Sequence, residues 1–425
     1  MANNFSSNFT EKLARVFLDK FELKRNLTKG VNTQLLKGQY DANSGDTVSF
    51  RRPTDFLAIE TSDGDLTSDS ATDIIVGKAT GDVQNYITTY VNYSEADQAI
   101  KMGNLDELLA PRATRAVNKL ETNFAAYALK HAGLYGGTIA QPVATWSEAA
   151  EAMAVMQGVG VPEDDEWCLF VNPYTAKGLA DAQRGLGAGG SAGELVTSAW
   201  ERNKLSSNLA GMRVMTSTAL ASYTTGAGAD RAGAVNGTMD VSYVTHKDTM
   251  LQTITVDGMD AALPIKAGDR ITIAGVNLVN QATREPVLDA SGASVPWVGV
   301  VAADVTMSTG AGNITVNNPA IYESGGAYNT VDAAIADNDV VTVLGSASTV
   351  YQPNLFWHKD AFSVGFLPME KLYATDTIAE TEDGLQLRVT RFSDGVTNTQ
   401  KVRFDIRPAF ASLNPYFAGH LWGVA

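Results

Sequence analysis

The stretch that decides the fold is residues 354–362, Asn-Leu-Phe-Trp-His-Lys-Asp-Ala-Phe. It ends a long acidic passage with the composition of β-structure and returns the chain to a mixed passage of helices and strands. His358, Lys359 and Asp360 are side chains of the acid–base type. Because neighbours on a strand point to opposite faces, their adjacency does not favour a catalytic group.

Bulk composition predicts two or three domains with buried cores. The chain has 425 residues, of which 44% are hydrophobic and 19% are charged. The net charge of −15 argues against a surface that binds polyanions as a whole. The single cysteine, Cys168, excludes an intramolecular disulfide, and we predict a buried strand thiol. The start of the chain lacks a signal-peptide pattern and no run of about 18 apolar residues occurs, which predicts a soluble protein made in a cytoplasm.

Motifs for catalysis or cofactor binding are weak. The histidines lack metal-ligand spacing; they are His131, His246, His358 and His420. Residues 185–193 contain a G-x-G-x-x-G match, but a predicted helix precedes it, so a surface loop is favoured over a dinucleotide site. We therefore expect no catalytic residue, no cofactor and no metal.

Two helical patterns stand in the first third of the chain. Residues 1–37 form a locally basic arm, with six basic and three acidic side chains between Met1 and Gly30. Its weak apolar face runs through Phe9, Leu13, Val16, Phe17 and Lys20. This arm can pack on its own domain or on a neighbour's. Residues 104–133 predict the longest helix, in which Pro111 either ends a short first turn or opens the main helix. Gly133 suits its C-terminal cap, and one predicted apolar stripe follows Pro111: Ala113, Val117, Leu120, Phe124, Ala128 and His131.

A helix, a strand and a helix follow in short succession. Thr145 and Glu148 are spaced as a capping box at the start of a helix that reaches Gly158. Residues 167–171 predict a buried strand, and Asn172-Pro173 begins a third helix. This succession indicates an α/β layer.

Two other regions predict β-structure. Residues 45–93 contain two strand runs around a polar tip, residues 61–73, and predict an extended hairpin that lies on something else. Residues 224–350 hold five basic and thirteen acidic side chains, so the segment has a net charge of −8, and glycine is frequent in it. They predict a compact antiparallel, barrel-like β-domain inserted into the α/β domain. Residues 268–275 and 338–345 within it look like two equivalent strands.

Three stretches together resemble the major coat proteins of tailed double-stranded-DNA phages. They are residues 209–217, residues 354–362, and residues 385–389 taken with 401–405. The insertion after the first stretch is similar to the extra domain in coat proteins of short-tailed lambdoid enteric phages. The resemblance covers essentially the whole chain and implies an α+β fold of the Hong Kong 97 type.

The resemblance also implies a division of the chain. The segments are an N-terminal arm (1–37), an extended loop with peripheral-domain strands (38–103), a peripheral-domain spine helix (104–145), a first axial-domain part (146–223), an inserted antiparallel barrel-like β-domain (224–350), and axial and peripheral strands with a C-terminal tail (351–425).

The implied function is structural. Copies of such a chain assemble into hexamers and pentamers of an icosahedral virion shell that encloses double-stranded DNA, in the bacterial cytoplasm. The implied partners are a scaffolding protein, a portal at one vertex and DNA bound without sequence specificity, with no membrane. Candidate subunit contacts are Arg51, Arg52, Asp63, Asp65, Asp69, Asp73, Phe9 and Phe17. The alternative is a soluble α/β enzyme with a β accessory domain.

Overall fold

The structure is a computed structural model with two compact units. It describes residues 6–32, 47–51, 64–65, 75–94, 105–164, 166–184, 193–203, 205–367, 369–373, 376–380, 386–394 and 399–424. Unit 1 is Met1–Val48, Gly81–Ala125 and Phe362–Ala411, and unit 2 is Ser49–Thr80, Ala126–Ala361 and Ser412–Ala425. The predicted α+β class is confirmed, with strands in the majority. The finer division predicted from the sequence stays a prediction.

The elements of the described residues are as follows. The helices are α1 Ser6–Lys24, α2 Leu105–His131, α3 Trp146–Val159, α4 Pro173–Arg184, α5 Gly193–Arg202 and α6 Tyr243–His246. The first strands are β1 Thr47–Arg51, β2 Lys78–Val83, β3 Ile87–Ser94, β4 Leu134–Gly136, β5 Trp167–Val171, β6 Asn208–Leu209, β7 Met212–Thr216 and β8 Tyr223–Thr224. The next are β9 Ala232–Val235, β10 Gln252–Asp257, β11 Pro264–Ile265, β12 Arg270–Asn277, β13 Pro296–Val300, β14 Val305–Thr306, β15 Gly312–Val316 and β16 Val340–Val343. The last are β17 Val350–Tyr351, β18 Asn354–His358, β19 Phe362–Phe366, β20 Thr377–Glu380, β21 Gln386–Asp394, β22 Thr399–Ile406, β23 Pro408–Ser412 and β24 Ala418–Leu421.

The long helix α2 continues through Pro111, so the predicted interruption there is wrong. Proline fixes φ near the helical value and removes one backbone hydrogen bond, and twenty further residues extend the helix beyond it. Its buried stripe agrees with the sequence pattern; the members are Ala113, Val117, Leu120, Phe124 and Ala128. His131, the last predicted member, is only half-buried and stacks on Tyr127 with ring centroids 4.0 Å apart.

Both short predicted helices begin as the sequence indicated. The Thr145 side chain accepts a hydrogen bond from the Glu148 N–H, and the Glu148 carboxylate accepts one from the Thr145 N–H, which completes the capping box of α3. That helix ends at Gly160, whose φ of 89° is the left-handed conformation that glycine adopts without strain. Asn172 Oδ1 accepts from the Thr175 N–H at 2.7 Å, just before Pro173 opens α4.

The arm helix α1 packs on the chain's own sheet in unit 1, which settles the alternative that the sequence left open. The sheet has the strand order β20-β21-β22-β3, and α1 lies against β20 and β21. The buried face consists of Ala14, Phe17, Leu18 and Phe21, whereas Val16 and Lys20 are only half-buried. This helix therefore gains burial within its own unit, without a neighbouring copy.

The predicted hairpin of β1 with β3 is also wrong. β3 pairs along its whole length with β22, from Thr399↔Ser94 to Ile406↔Ile87. β1 instead neighbours β2 in a separate sheet of order β1-β2-β23-β19. The run rich in β-branched and aromatic residues was correctly predicted as a strand, but its partner lies three hundred positions away in sequence, where no local pattern reports it. In the predicted tip the structure describes only Gly64 and Asp65.

The α/β layer of unit 2 contains two of the three stretches that carried the resemblance. Its six-stranded sheet has the order β4-β24-β18-β5-β7-β6. The buried strand β5 lies in the middle, parallel to β7 and antiparallel to β18. Residues 354–358 form β18, and residues 209–217 cover the β6–β7 hairpin. The third stretch forms the β21–β22 pair of unit 1, where Arg388 lies opposite Asp405.

Residues 224–350 form antiparallel sheet, as predicted. Six strands have the order β13-β12-β16-β9-β10-β15. The two similar stretches are direct neighbours, because β12 and β16 pair through Thr272↔Thr342. The outer strands β13 and β15 are also joined at one end, where the Ala302 N–H donates to Thr315 O at 2.8 Å. β8 and β17 pair through Val350↔Thr224 at the base of the segment.

One continuous apolar core runs through unit 2. It joins side chains of α3 and the α/β sheet, such as Met156 and Leu169, to side chains of the antiparallel sheet, such as Ile254 and Val341. The Trp297 indole N–H donates to the Tyr416 hydroxyl at 3.2 Å inside this core. Whether residues 224–350 are a separate inserted barrel-like domain stays a prediction, since their apolar side chains belong to a core that they share.

Candidate subunit-contact surfaces

The acid–base residues of the deciding stretch form a structural network. β18 ends at His358, and residues 359–361 form a 3-10 turn. The Asp360 N–H donates to His358 Nδ1 at 3.2 Å, so the proton is on Nε2, which donates to the Asp164 carboxylate at 3.0 Å. Lys359 Nζ donates to Glu166 at 3.1 Å. The histidine thus ties the start of β5 to the end of β18, and no nucleophile among the described residues hydrogen-bonds to it.

Cofactor chemistry has no visible support in the described residues. No group of three His, Cys, Asp or Glu side chains there is placed to hold a metal ion. Cys168 is buried in β5, and desolvation raises the pKa of its thiol to about 11, so it is protonated at neutral pH. No helix in the part of the chain that the structure describes is long and apolar enough to cross a membrane.

The C-terminal end of α2 is held by a polar junction of unit 2. The last carbonyl groups of a helix have no partner within it and need donors from elsewhere. Arg270, at the start of β12, donates to Ala132 O at 2.6 Å and to Leu134 O at 3.2 Å. Asn317 donates to Lys130 O at 2.6 Å, and Asn318 donates to Gly133 O at 3.2 Å. These residues of the 224–350 segment therefore terminate the helix.

His420 of β24 completes this junction. Its Nε2 lies 3.0 Å from Leu129 O. Desolvation, with a smaller contribution from the Arg270 charge, lowers the pKa of His420 well below its ordinary value, so the ring is neutral. Gly133 permits the close packing here, because a Cβ at this position would lie 2.7 Å from Pro415 O. The glycine serves a close approach rather than the left-handed cap that its position after the helix suggested.

Arg270 is the most unusual residue of the junction. It is completely buried, and desolvation lowers its pKa to about 10, which still leaves the guanidinium charged at neutral pH. Its two described hydrogen bonds go to the carbonyl of Ala132, directly after α2, and to that of Leu134 in β4. The charge therefore lies close to the C-terminus of α2, where the helix dipole favours a positive charge. Nothing in the sequence around Arg270 indicates this role, because an arginine that starts an alternating strand usually faces solvent.

In unit 1 a single carboxylate fixes the arm's 3-10 turn to α2. Glu121 lies on the flank of α2 and is buried. It accepts hydrogen bonds from the Leu27 N–H at 2.6 Å, the Thr28 N–H at 3.2 Å and the Thr28 hydroxyl at 2.6 Å. The arm's 3-10 turn, Leu27–Lys29, is thereby fixed to the long helix. Arg25 donates to Thr28 and braces the same turn.

Half of the contact candidates named from the sequence are placed by the structure. Four of them lie outside the described residues: Arg52, Asp63, Asp69 and Asp73. Arg51 and Phe9 lie in β1 and α1, and Asp65 is exposed. Phe17 is fully buried, because its ring stacks on Phe404 with centroids 4.6 Å apart, and it offers no surface to a neighbour here. Contact by the others stays a prediction.

Two exposed aromatic side chains on neighbouring helices were missed. Tyr174 on α4 is 85% exposed and Trp200 on α5 is 70% exposed, although α4 and α5 pack together. The Arg184 guanidinium lies 5.4 Å from the centre of the Trp200 ring. Tyr, Trp and Arg are the side chains most enriched where proteins bind one another. The sequence contains a signal for the exposure of Tyr174, because this residue falls outside the buried stripe of α4.

Comparison with known proteins defines the class. A family model described as P22 coat protein, gene protein 5, matches residues 1–423. The major capsid protein of Acyrthosiphon pisum secondary endosymbiont phage 1 is 33% identical over 428 aligned positions, which cover all of both chains.

Two solved structures are similar over most of the chain. A structure from Mycobacterium phage Che8 has 10% identity and a TM-score of 0.46, and the match covers 93% of this chain and 90% of that one. The bacteriophage PhiM1 mature capsid has 8% identity and a TM-score of 0.39, with 89% and 82% covered. Both TM-scores are below 0.5, so the assignment rests on the sequence matches.

The protein is thus a structural component of a viral shell and is found in the virion capsid. The shell forms by self-assembly of copies of the chain. The chain belongs to the P22 coat protein family. The predicted resemblance, with the capsid function it implied, is confirmed. The alternative of a soluble enzyme is wrong, because the family match covers nearly the whole chain and is to a coat protein.

Proposed function

We propose that copies of this chain form the hexamers and pentamers of an icosahedral phage head that encloses double-stranded DNA. Assembly takes place in the bacterial cytoplasm, with a scaffolding protein present and a portal at one vertex. The observation that carries the proposal is the match to a major capsid protein over the full length of both chains. A shared function is expected where no segment of either protein is left over.

The α4–α5 surface supports contact between copies. Tyr174 and Trp200 stand out from unit 2 next to the charged side chains Lys177 and Asp181, which are also exposed. Large exposed aromatics surrounded by charges are typical of a surface that becomes buried on association. Rings of identical subunits need such heterologous contacts, in which one surface of a chain meets a different surface of the next.

The experiment is assembly of the full chain with its scaffolding protein, followed by sedimentation and negative-stain microscopy. The parent chain is expected to give closed shells. A Tyr174→Ser, Trp200→Ser double variant is expected to remain largely as unassembled subunits, because two anchoring side chains are lost. Its free energy of unfolding should change by no more than about 0.5 kcal/mol, since both side chains are exposed.

A matched control is Leu288→Ser, Val244→Ser, which removes two exposed apolar side chains elsewhere in unit 2. This control is expected to assemble like the parent. If the Tyr174→Ser, Trp200→Ser variant formed normal shells, the α4–α5 surface would not be a contact between copies. A parent chain that stays monomeric with its scaffold present would contradict the proposed function itself.

A further inference from the structure

Arg270 carries a positive charge that no carboxylate neutralises in the part of the chain that the structure describes. Its two hydrogen bonds there go to backbone carbonyls, which carry only partial charges. The carboxylate next to it in sequence, that of Asp269, is paired with Arg231 instead, at 3.4 Å. Arg231, Asp269 and Arg270 are all buried, so two cations and one anion leave a net charge of +1 inside unit 2. An unpaired buried charge is costly, which indicates that something compensates it.

Three tyrosine side chains lie around this charge. Desolvation raises the pKa of Tyr135 and of Tyr223, and the Arg270 charge lies near enough to offset part of that rise in both. Tyr351 is the strand partner of Tyr223, with ring centroids 5.7 Å apart. Tyr135 is directly beside His420 in the β4–β24 ladder. Because desolvation is the larger effect, the hydroxyls of Tyr135 and Tyr223 are protonated at neutral pH, so they supply no negative charge but can donate hydrogen bonds.

Four polar atoms of this group are buried and have no hydrogen-bond partner among the described residues. Three can donate: Arg270 Nε, the Tyr223 hydroxyl and Trp422 Nε1. The fourth, His420 Nδ1, is an acceptor, because the other ring nitrogen donates to the last turn of α2 and the ring is neutral. Trp422 belongs to the same apolar cluster as Tyr223 and Tyr351, and its ring meets that of Tyr351 edge-on with centroids 6.0 Å apart. Donors therefore outnumber acceptors around an uncompensated positive charge.

We infer that a small monovalent anion of the size of chloride binds in unit 2 between Arg270, Tyr223 and Trp422. Such an ion accepts hydrogen bonds from all three donors and cancels the unpaired positive charge. A water molecule could also accept from these donors, but it would leave the charge uncompensated. A divalent oxyanion would bring an excess of negative charge to a site with a single unpaired cation. Tyr135 is only half-buried, so the ion has a side from which to enter.

The ion joins three parts of unit 2. Arg270 starts β12 and caps the end of α2, Tyr223 lies in β8, and Trp422 follows β24. Tyr223 and its strand partner also stand at the base of the 224–350 segment. A ligand that binds only the folded chain stabilises it, so chloride should strengthen the attachment of this segment to the end of the helix. Binding needs no neighbouring copy, so it is measured on the unassembled full chain and does not depend on the proposed function.

The test follows urea unfolding of the unassembled full chain while sodium chloride replaces sodium gluconate at constant ionic strength. Gluconate is too large for the site. The unfolding midpoint of the parent is expected to rise with chloride concentration and then to level off as the site fills. Tyr223→Phe and Trp422→Phe each remove one donor and keep an aromatic ring. Because a hydrogen bond to an ion is lost, each should raise the chloride concentration of half-maximal effect about 10-fold or more.

The matched controls are Tyr90→Phe and Trp146→Phe, which change an exposed tyrosine of β3 and an exposed tryptophan of α3. Both should follow the chloride dependence of the parent. Crystals of the unassembled chain soaked in sodium bromide give a second measurement that does not depend on stability. An anomalous scattering peak from bromide is expected beside Arg270 Nε.

A midpoint that is independent of chloride, or that rises without levelling off, would overturn the inference. The same holds if Tyr223→Phe and Trp422→Phe keep the chloride dependence of the parent. If both variants fail to fold, the bromide peak of the parent decides, and its absence overturns the inference. A midpoint unaffected by chloride together with no bromide peak indicates a buried water in place of the anion.

Discussion

The long helix α2 is held differently in the two units. The last turn of α2 and the three residues after it, in unit 2, direct five backbone carbonyls at donors from four side chains, and every one of those side chains is buried. Further up, in unit 1, one carboxylate holds the arm's turn. The difference teaches that the helix end depends on many partners at once, whereas the contact of the arm's turn with α2 depends on one carboxylate and can be weakened by a single change.

The largest expected effect comes from Arg270→Met. The variant leaves Ala132 O and Leu134 O without their donor in a buried site, and each lost hydrogen bond to a charged group is worth about 1.5–3 kcal/mol. Because methionine avoids the desolvation of a buried charge, we expect a net loss of about 3 kcal/mol in the free energy of unfolding. Urea unfolding of the unassembled chain measures it.

The control for this change is Arg213→Met, an exposed arginine of β7. It should shift the free energy of unfolding by no more than about 0.5 kcal/mol. If Arg270→Met were as stable as this control, the junction would not be what secures the end of α2, and the contrast between the two units would disappear.

Glu121→Ala should have a smaller and more local effect. Three donors of the turn lose their acceptor, which we expect to cost about 2 kcal/mol, and the loss falls on the docking of the arm. The population of chains with a released arm should rise about 30-fold, so trypsin should cut after Lys24 or Arg25 correspondingly faster. Mass analysis of the N-terminal fragment follows the cut.

An exposed glutamate of α5 gives the comparison for the arm. Glu201→Ala should leave the rate of that cleavage at the parent value. Cleavage of Glu121→Ala at the parent rate would mean that the apolar face of α1 holds the arm without the carboxylate.

The third effect is a pH dependence at the junction. Burial lowers the pKa of His420 below that of the unfolded chain, so the unfolded state binds the proton more readily. The stability contributed by the neutral ring is fully present above about pH 6.5 and is lost as pH falls, by about 1.4 kcal/mol per pH unit. His420→Gln keeps a donor for Leu129 O and should abolish this part of the slope between pH 7.5 and 5.5. His131→Gln should retain it, and an unchanged slope in His420→Gln would show that another group titrates.

The helix starts were predictable because their signals are local. Thr145 with Glu148, and Asn172 followed by Pro173, satisfy N–H groups within three residues, so the sequence contains both partners. The buried stripe of α2 followed from its spacing for the same reason. The predicted interruption of α2 at Pro111 was wrong, because it was inferred from one residue. The helix continues for twenty residues beyond the proline.

The long-range pairings were not predictable in the same way. The β3 strand was found, but its partner β22 is more than three hundred residues away. Arg270 and Asn317 donate to carbonyls at and just beyond the end of α2, which is more than a hundred residues away in sequence. The residues next to them in sequence carry no sign that these two side chains are buried. Tyr174 was identifiable in principle, because it is an aromatic residue outside the buried stripe of its helix.

The pairing of Thr224 with Val350 has a practical consequence. The Cα atoms of residues paired across an antiparallel ladder lie about 5 Å apart. The segment between Thr224 and Val350 therefore begins and ends at nearly the same place in the structure. A foreign domain whose N- and C-termini lie close together can replace this segment without moving the two strands to which it is joined. Such a splice must bring its own hydrogen-bond donors for residues 130 and 132–134, because the side chains that cap them now would leave with the segment it replaces.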